Sequence, residues 1–143
     1  MTQVDRADRN SRTADLVAIT EIMSRTLVTA RPDDTVETVT ARLREHHVGC
    51  VPIVDGENRP TGIVTKLDLL ECGAASRATA REVMMPLAMT LGAQATIAEA
   101  ATLMSREGFH HVLIVDQDRA LIGVVSTLDL ARWLAQPGLI GEG

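Results

Sequence analysis

The chain has 143 residues, 45% of them hydrophobic, and a formal net charge of −5, which suits one compact domain burying about 68–70% of its unfolded surface. Phe109 and Trp133 are the only aromatic residues, so the core must be aliphatic and the stacking platforms of single-stranded nucleic-acid binders are missing; the acidic balance argues against a phosphate-backbone partner too. No apolar run approaches the length of a membrane span, and Met1 to Arg12 is polar with no signal-peptide core, so a cytoplasmic protein with no membrane partner is expected.

Residues 1–14 show no periodicity and are expected to be a tail. Leu16, Ile19 and Met23 suggest a helix from Asp15 to Met23 leading into the first structural unit. Leu27-Val28-Thr29 is a short strand candidate stopped by Pro32 and Asp33-Asp34. Asp34 with Glu37 reads as a capping box, and Val36, Val39 and Leu43 recur on one face of the helix that follows. Val48 to Val54 is a nearly continuous apolar run, as in a strand buried on both faces. The turn Asp55-Gly56-Glu57-Asn58 returns the chain into Thr61–Val64, completing a hairpin. Thr65 then opens a helix to about Glu71, ended near Gly73.

The same order follows again. Thr96 with Glu99 is a second capping box, and Ile97, Ala100, Ala101 and Met104 form a buried face stopped by Gly108. His111–Val115 and Ala120–Val125 form a hairpin around Asp116-Gln117-Asp118-Arg119. Ser126 opens a last helix that reaches Leu134 before Pro137. Each unit is thus read as strand, helix, strand, strand, helix.

The two units are copies. A shift of 61 positions carries Gly62-Ile63-Val64-Thr65-Lys66-Leu67-Asp68-Leu69 onto Gly123-Val124-Val125-Ser126-Thr127-Leu128-Asp129-Leu130. It also carries Met23, Thr29, Thr35, Val51 and Asp55 onto Met84, Thr90, Thr96, Val112 and Asp116 without a gap. One copy alone would bury too little surface to be stable. The short linker at 74–80 says that the copies pack together. The chain divides into a tail (1–14), a first unit (15–73), the linker (74–80), a second unit (81–136) and a closing tail (137–143).

A hydroxyl ending a strand with a carboxylate three residues later is first of all a helix cap: Thr65 or Ser126 at the N-cap, Asp68 or Asp129 bonding back. The same geometry offers a ligand free N–H groups, a hydroxyl for phosphate and a carboxylate for ribose hydroxyls. The tandem pattern Val-Pro-Ile-Val-Asp, turn, Gly-Ile-Val-Thr-x-x-Asp resembles the cystathionine-β-synthase (CBS) domain family over roughly residues 16–135. That resemblance implies an α/β (α+β) fold. Its two CBS motifs would each be a small sheet with two helices, packed by pseudo-twofold symmetry into one Bateman module. It implies binding of adenosine-containing ligands (AMP, ADP, ATP or S-adenosylmethionine, sometimes NAD derivatives), with no other cofactor, and association into a homodimer.

In that family the ribose carboxylate comes from one repeat and the base contacts from the other. Carried over by position, one site would use Ser126, Thr127 and Asp129 with Thr26, Val28, Val48 and Gly49. The other would use Thr65, Lys66 and Asp68 with Leu87, Met89, Phe109 and His110. Lys66 is the only lysine, and its counterpart Thr127 is neutral, so phosphate charge points to the second set. That set departs from the pattern where Leu113 replaces Pro52, and where Phe109 and His110 replace Val48 and Gly49. Adenine fit therefore points to the first.

His46-His47 and His110-His111 do not converge as metal ligands, because adjacent side chains diverge on a helix or strand, and no metal site is expected. Cys50 and Cys72 read as free thiols. No catalytic constellation is present, so the expectation is a non-enzymatic sensor acting on an unknown partner in trans. The alternative is a ligand-free homodimeric scaffold or stress-associated interaction protein in which both motifs serve only as caps.

Overall fold

The computed structural model describes residues 13–73, 77–86 and 89–136. The expectations for residues 1–12, 74–76, Leu87 and 137–143 fall outside them. The described helices are α1 (Val36–His46), α2 (Lys66–Cys72), α3 (Ala80–Val83), α4 (Ile97–Glu107) and α5 (Thr127–Leu134). The strands are β1 (Cys50–Val54), β2 (Pro60–Thr65), β3 (Met85–Pro86), β4 (Thr90–Gly92), β5 (His111–Val115) and β6 (Leu121–Ser126). They form two three-stranded sheets, β1-β2-β3 and β4-β5-β6. The fold is mixed α and β, built from two copies of one unit.

Both hairpins keep the repeat's register: Cys50 faces Thr65 and Val51 faces Val64, as His111 faces Ser126 and Val112 faces Val125. Each is twisted by an irregularity at the same place, Ile53/Val54 and Ile114/Val115. The turns match as well, with left-handed residues at Asn58 and Arg119.

The copies exchange their leading segments. Ile19 N–H donates to Ala95 O at 2.7 Å, and Ala80 N–H donates to Asp34 O at 2.7 Å. Ala18 bridges Thr96, and Thr79 bridges Thr35. Ser24 bridges Val124 on β6, while β3 pairs through Met85 and Pro86 with Ile63 and Gly62 on β2. Consequently Ile19 and Met23 lie in the core of Ile97, Ala100, Met104, Val112, Ile114, Val125 and Trp133. Ala80, with Val83 and Met84 against it, completes the core of Val39, Leu43, Val51, Ile53 and Val64. A third cluster, Cys50, Val54, Ile63, Leu113 and Leu121, joins the two sheets. Pairing with the other repeat also breaks the expected helix over Asp15–Met23. Residues 13–16 make one helical turn, Ala18 is extended, and Ile19–Glu21 is a 3-10 turn.

The two opening strands differ. In the second repeat Leu113 N–H donates to Met89 O at 2.9 Å and Ala93 N–H donates to Val115 O at 3.1 Å, so β4 runs parallel to β5. In the first repeat those donors fall at Pro52 and Pro32, which have no N–H. The expected strand at Leu27–Thr29 therefore shrinks to a single parallel bridge between Ala30 and Ile53.

Helix α1 also starts differently from the expectation. Its cap is Thr35, whose hydroxyl accepts from Thr38 N–H at 3.1 Å. Asp34 instead accepts from Arg31 N–H at 2.8 Å and pairs with Arg42. Thr96 accepts from Glu99 N–H at 3.2 Å and so makes the forward half of its capping box.

Candidate functional site

Both Ser/Thr-x-x-Asp motifs form complete capping boxes. Asp129 Oδ2 accepts from Ser126 N–H at 2.8 Å, and Ser126 Oγ accepts from Asp129 N–H at 3.1 Å. Asp68 Oδ2 accepts from Thr65 N–H at 2.8 Å, and Thr65 Oγ1 accepts from Asp68 N–H at 3.4 Å. The motifs then diverge in one bond. The Thr65 hydroxyl donates to Asp68 Oδ2 at 3.0 Å, whereas the Ser126 hydroxyl makes no such bond to Asp129 among the described residues.

A cavity of about 410 Å³ opens beside Ser126. Its wall contains Ser126, Thr127 and Asp129 from the second repeat and Thr26, Val28, Val48 and Gly49 from the first, the whole of one expected set. Lys66 and His110, placed by sequence position with the other carboxylate, lie on this wall too, together with His111 and Cys50. The remaining residues of the other set are not drawn into this cavity. Thr65 and Asp68 are half-buried at the start of α2, Met89 packs on the second core and Phe109 is half-buried before β5.

The two prolines shape the cavity as much as the motif does. Without an N–H at Pro52, the bond that Leu113 N–H makes to Met89 O has no counterpart at the Val28 carbonyl among the described residues, and Val28 lies on the cavity wall. In the second repeat the matching carbonyl, Met89 O, is already bonded by Leu113 N–H. Among the described residues, the Met89 carbonyl and the Thr65 hydroxyl each make an internal bond that the Val28 carbonyl and the Ser126 hydroxyl do not.

Sequence reasoning did not single out His111 or Cys50 as cavity residues. They are equivalent positions of the repeat, and they meet at the cavity because the two sheets pack through Cys50 and Leu113. The signal available was register: each sits opposite the N-cap residue of its own hairpin. Burial lowers the pKa of His111 below the usual histidine value; His110 adds to this, and Asp129 opposes it. Burial also pushes the Cys50 thiol up to about 12, so it stays neutral. Among the described residues, no group of three or more His, Cys, Asp or Glu side chains is arranged to hold a metal ion. No helix among them is long and apolar enough to cross a membrane.

The CBS domain family matches residues 19–74 and 80–136. The chain belongs to that family. A Methanopyrus kandleri protein, MK0525, is 30% identical over 121 residues, 81% of this chain and 62% of its own length. An L-aspartate semialdehyde sulfurtransferase of Methanocaldococcus jannaschii is 25% identical over 127 residues, with the chain spanning only 25% of it. Among solved structures, the CBS domain pair of protein MJ0100 in complex with 5′-methylthioadenosine and S-adenosylmethionine superposes with a TM-score of 0.77. It shares 25% identity over 82% of this chain and 95% of that one. CBSX2 in complex with AMP superposes with a TM-score of 0.78 at 21% identity, over 85% and 98% of the two chains, and shows the shared fold. The chain is thus a CBS pair, a module typically regulatory, and the MJ0100 pair binds adenosyl compounds.

Proposed function

We propose that this CBS pair is a regulatory sensor. It holds one adenosine-containing ligand, an adenine nucleotide or S-adenosylmethionine, in the Ser126–Asp129 cavity and acts on a partner protein in trans. The observation that carries this reading is the convergence of both repeats on one cavity. A capping carboxylate with a spare oxygen and a hydroxyl not bonded to it as a donor come from one repeat, and a Val28 carbonyl without a partner among the described residues comes from the other. Asp129 Oδ1 suits a ribose diol, and Val28 O with the apolar Val48 wall suits the exocyclic amine and face of a purine. Ser126 and Thr127 lie where a phosphate would approach the helix start. The Thr65–Asp68 set is the weaker candidate, because its hydroxyl and its Met89 carbonyl are already bonded.

Ligand held between the repeats would favour one packing of the pair over another, which a partner can read. In this reading the chain is not an enzyme and works in the cytoplasm as a homodimer. Leu67 and Leu128, matching positions on α2 and α5, are 62% and 54% exposed and would be covered by a second copy. The deciding experiment is thermal denaturation of the purified protein with AMP, ADP, ATP and S-adenosylmethionine, repeated on Asp129→Ala and Asp68→Ala. A ligand at a hundred times its dissociation constant should stabilise the native state by about 2.7 kcal/mol. That shift should vanish in Asp129→Ala and persist in Asp68→Ala.

The second reading is the scaffold, favoured by the completeness of both capping boxes. It expects no ligand shift at all, and a loss on the order of 1 kcal/mol for either carboxylate.

A further inference from the structure

The charge on the cavity wall is not the charge its own motif supplies. Among the described residues Asp129 is the only carboxylate there, and one of its oxygens is taken by Ser126 N–H. Lys66, His110 and His111 line the same wall, while Cys50 is a neutral thiol. Lys66 is contributed by the first residue of α2, in the opposite repeat. Its neighbour in sequence is Asp68, but its ammonium has no ion pair among the described residues. Thr127, at the matching position, is neutral. Lys66 thus stands on the wall of this cavity from the opposite repeat, without an ion pair among the described residues, and it also lines the neighbouring groove between α1 and α2.

We propose that Lys66 makes this cavity select phosphate-bearing adenosine ligands over sulfonium-bearing ones. The inference rests on the reading that an adenosyl ligand occupies the Ser126–Asp129 cavity. A phosphate group near Ser126 meets an ammonium point charge and a hydroxyl donor. S-adenosylmethionine brings a sulfonium and an ammonium against a single carboxylate, so its net positive charge meets the same ammonium as a like charge where ADP brings only anions, and Asp129 is committed to the cap and the ribose. His110 and His111 add donors without adding a second carboxylate. Because Lys66 is solvent-exposed, the preference is several-fold rather than absolute and weakens with salt.

The test is calorimetric titration of the full chain with adenosine, ADP and S-adenosylmethionine at low and high salt, on wild type and on Lys66→Met, which keeps the aliphatic stem. Wild type should bind ADP about fivefold or more tighter than adenosine, and S-adenosylmethionine no tighter than adenosine. Lys66→Met should erase the ADP advantage while leaving adenosine within about twofold, and high salt should erode it in wild type alone. Tighter binding of S-adenosylmethionine than of ADP to wild type overturns the proposal. So does an equal loss of adenosine and ADP in Lys66→Met. If none of the three binds, the occupancy reading itself fails, which is a different result from binding without charge preference.

Discussion

The imidazole Nε2 of His111 lies 2.9 Å from the point where a side chain on Gly49 would begin. A residue of one repeat thus occupies the space that a residue of the other leaves vacant, at the wall of the cavity. A Cβ at Gly49 must push the ring aside. Gly49→Ala should therefore destabilise the fold by about 1–3 kcal/mol and shrink the ligand-induced thermal shift. Adding His111→Ala should recover most of the stability, which urea denaturation of the single and double variants will read.

His111 also makes stability depend on pH. Its folded pKa is lowered, chiefly by burial and then by His110, with Asp129 opposing. The unfolded chain therefore binds the proton first as pH falls. Stability is fully present above the ordinary histidine value, about 6.5, and is lost as pH falls from there through the folded value. Urea midpoints measured from pH 7.5 down to 5 should fall in wild type, and fall less steeply in His111→Gln.

The two thiols should react differently. Cys50 is buried with its pKa pushed up to about 12, so it carries almost no thiolate at neutral pH. Cys72 is half-buried at the end of α2, its thiol donating to Leu69 O at 3.3 Å. A thiol-specific chromogenic reagent at pH 8 should titrate Cys72 in the native protein and Cys50 only on unfolding. Fast modification of both would contradict this packing.

Met23 lies over Gly123 as Met84 lies over Gly62, and a Cβ at either glycine would collide with the methionine. The obstacles are not the same. At Gly62 the Met85 carbonyl oxygen is also only 2.7 Å away, whereas at Gly123 the nearest atoms all belong to Met23. Both glycine-to-alanine changes should cost on the order of 1–3 kcal/mol. Relative to the corresponding methionine-to-alanine background, the cost should shrink for Gly123→Ala and persist for Gly62→Ala. A double-mutant cycle in urea measures the difference.

The sequence by itself determined the local chemistry. Period-2 and period-3.6 patterns, turn residues and the 61-residue offset made the two hairpins, α1, α2, α4 and α5 legible. Thr65 and Ser126 announced their caps, because a hydroxyl at the strand end with a carboxylate three residues on satisfies orphan amides wherever it occurs. That Ser126, Thr127, Asp129, Thr26, Val28, Val48 and Gly49 share one cavity wall agrees with the set carried over by position from the resemblance to the CBS family.

Only the tertiary structure decided what crosses between repeats. That Ile19 and Ala80 dock on the other copy's core, that Pro32 and Pro52 dissolve one opening strand, and that Lys66 and His110 are among the residues lining the Ser126 cavity are long-range facts. They depend on where two sheets come to rest against each other through Cys50, Val54, Ile63, Leu113 and Leu121. A repeat pattern names equivalent positions. It carries no information about which of two equivalent carboxylates a given lysine will face, because that choice is made by packing across a pseudo-twofold axis that no stretch of sequence contains.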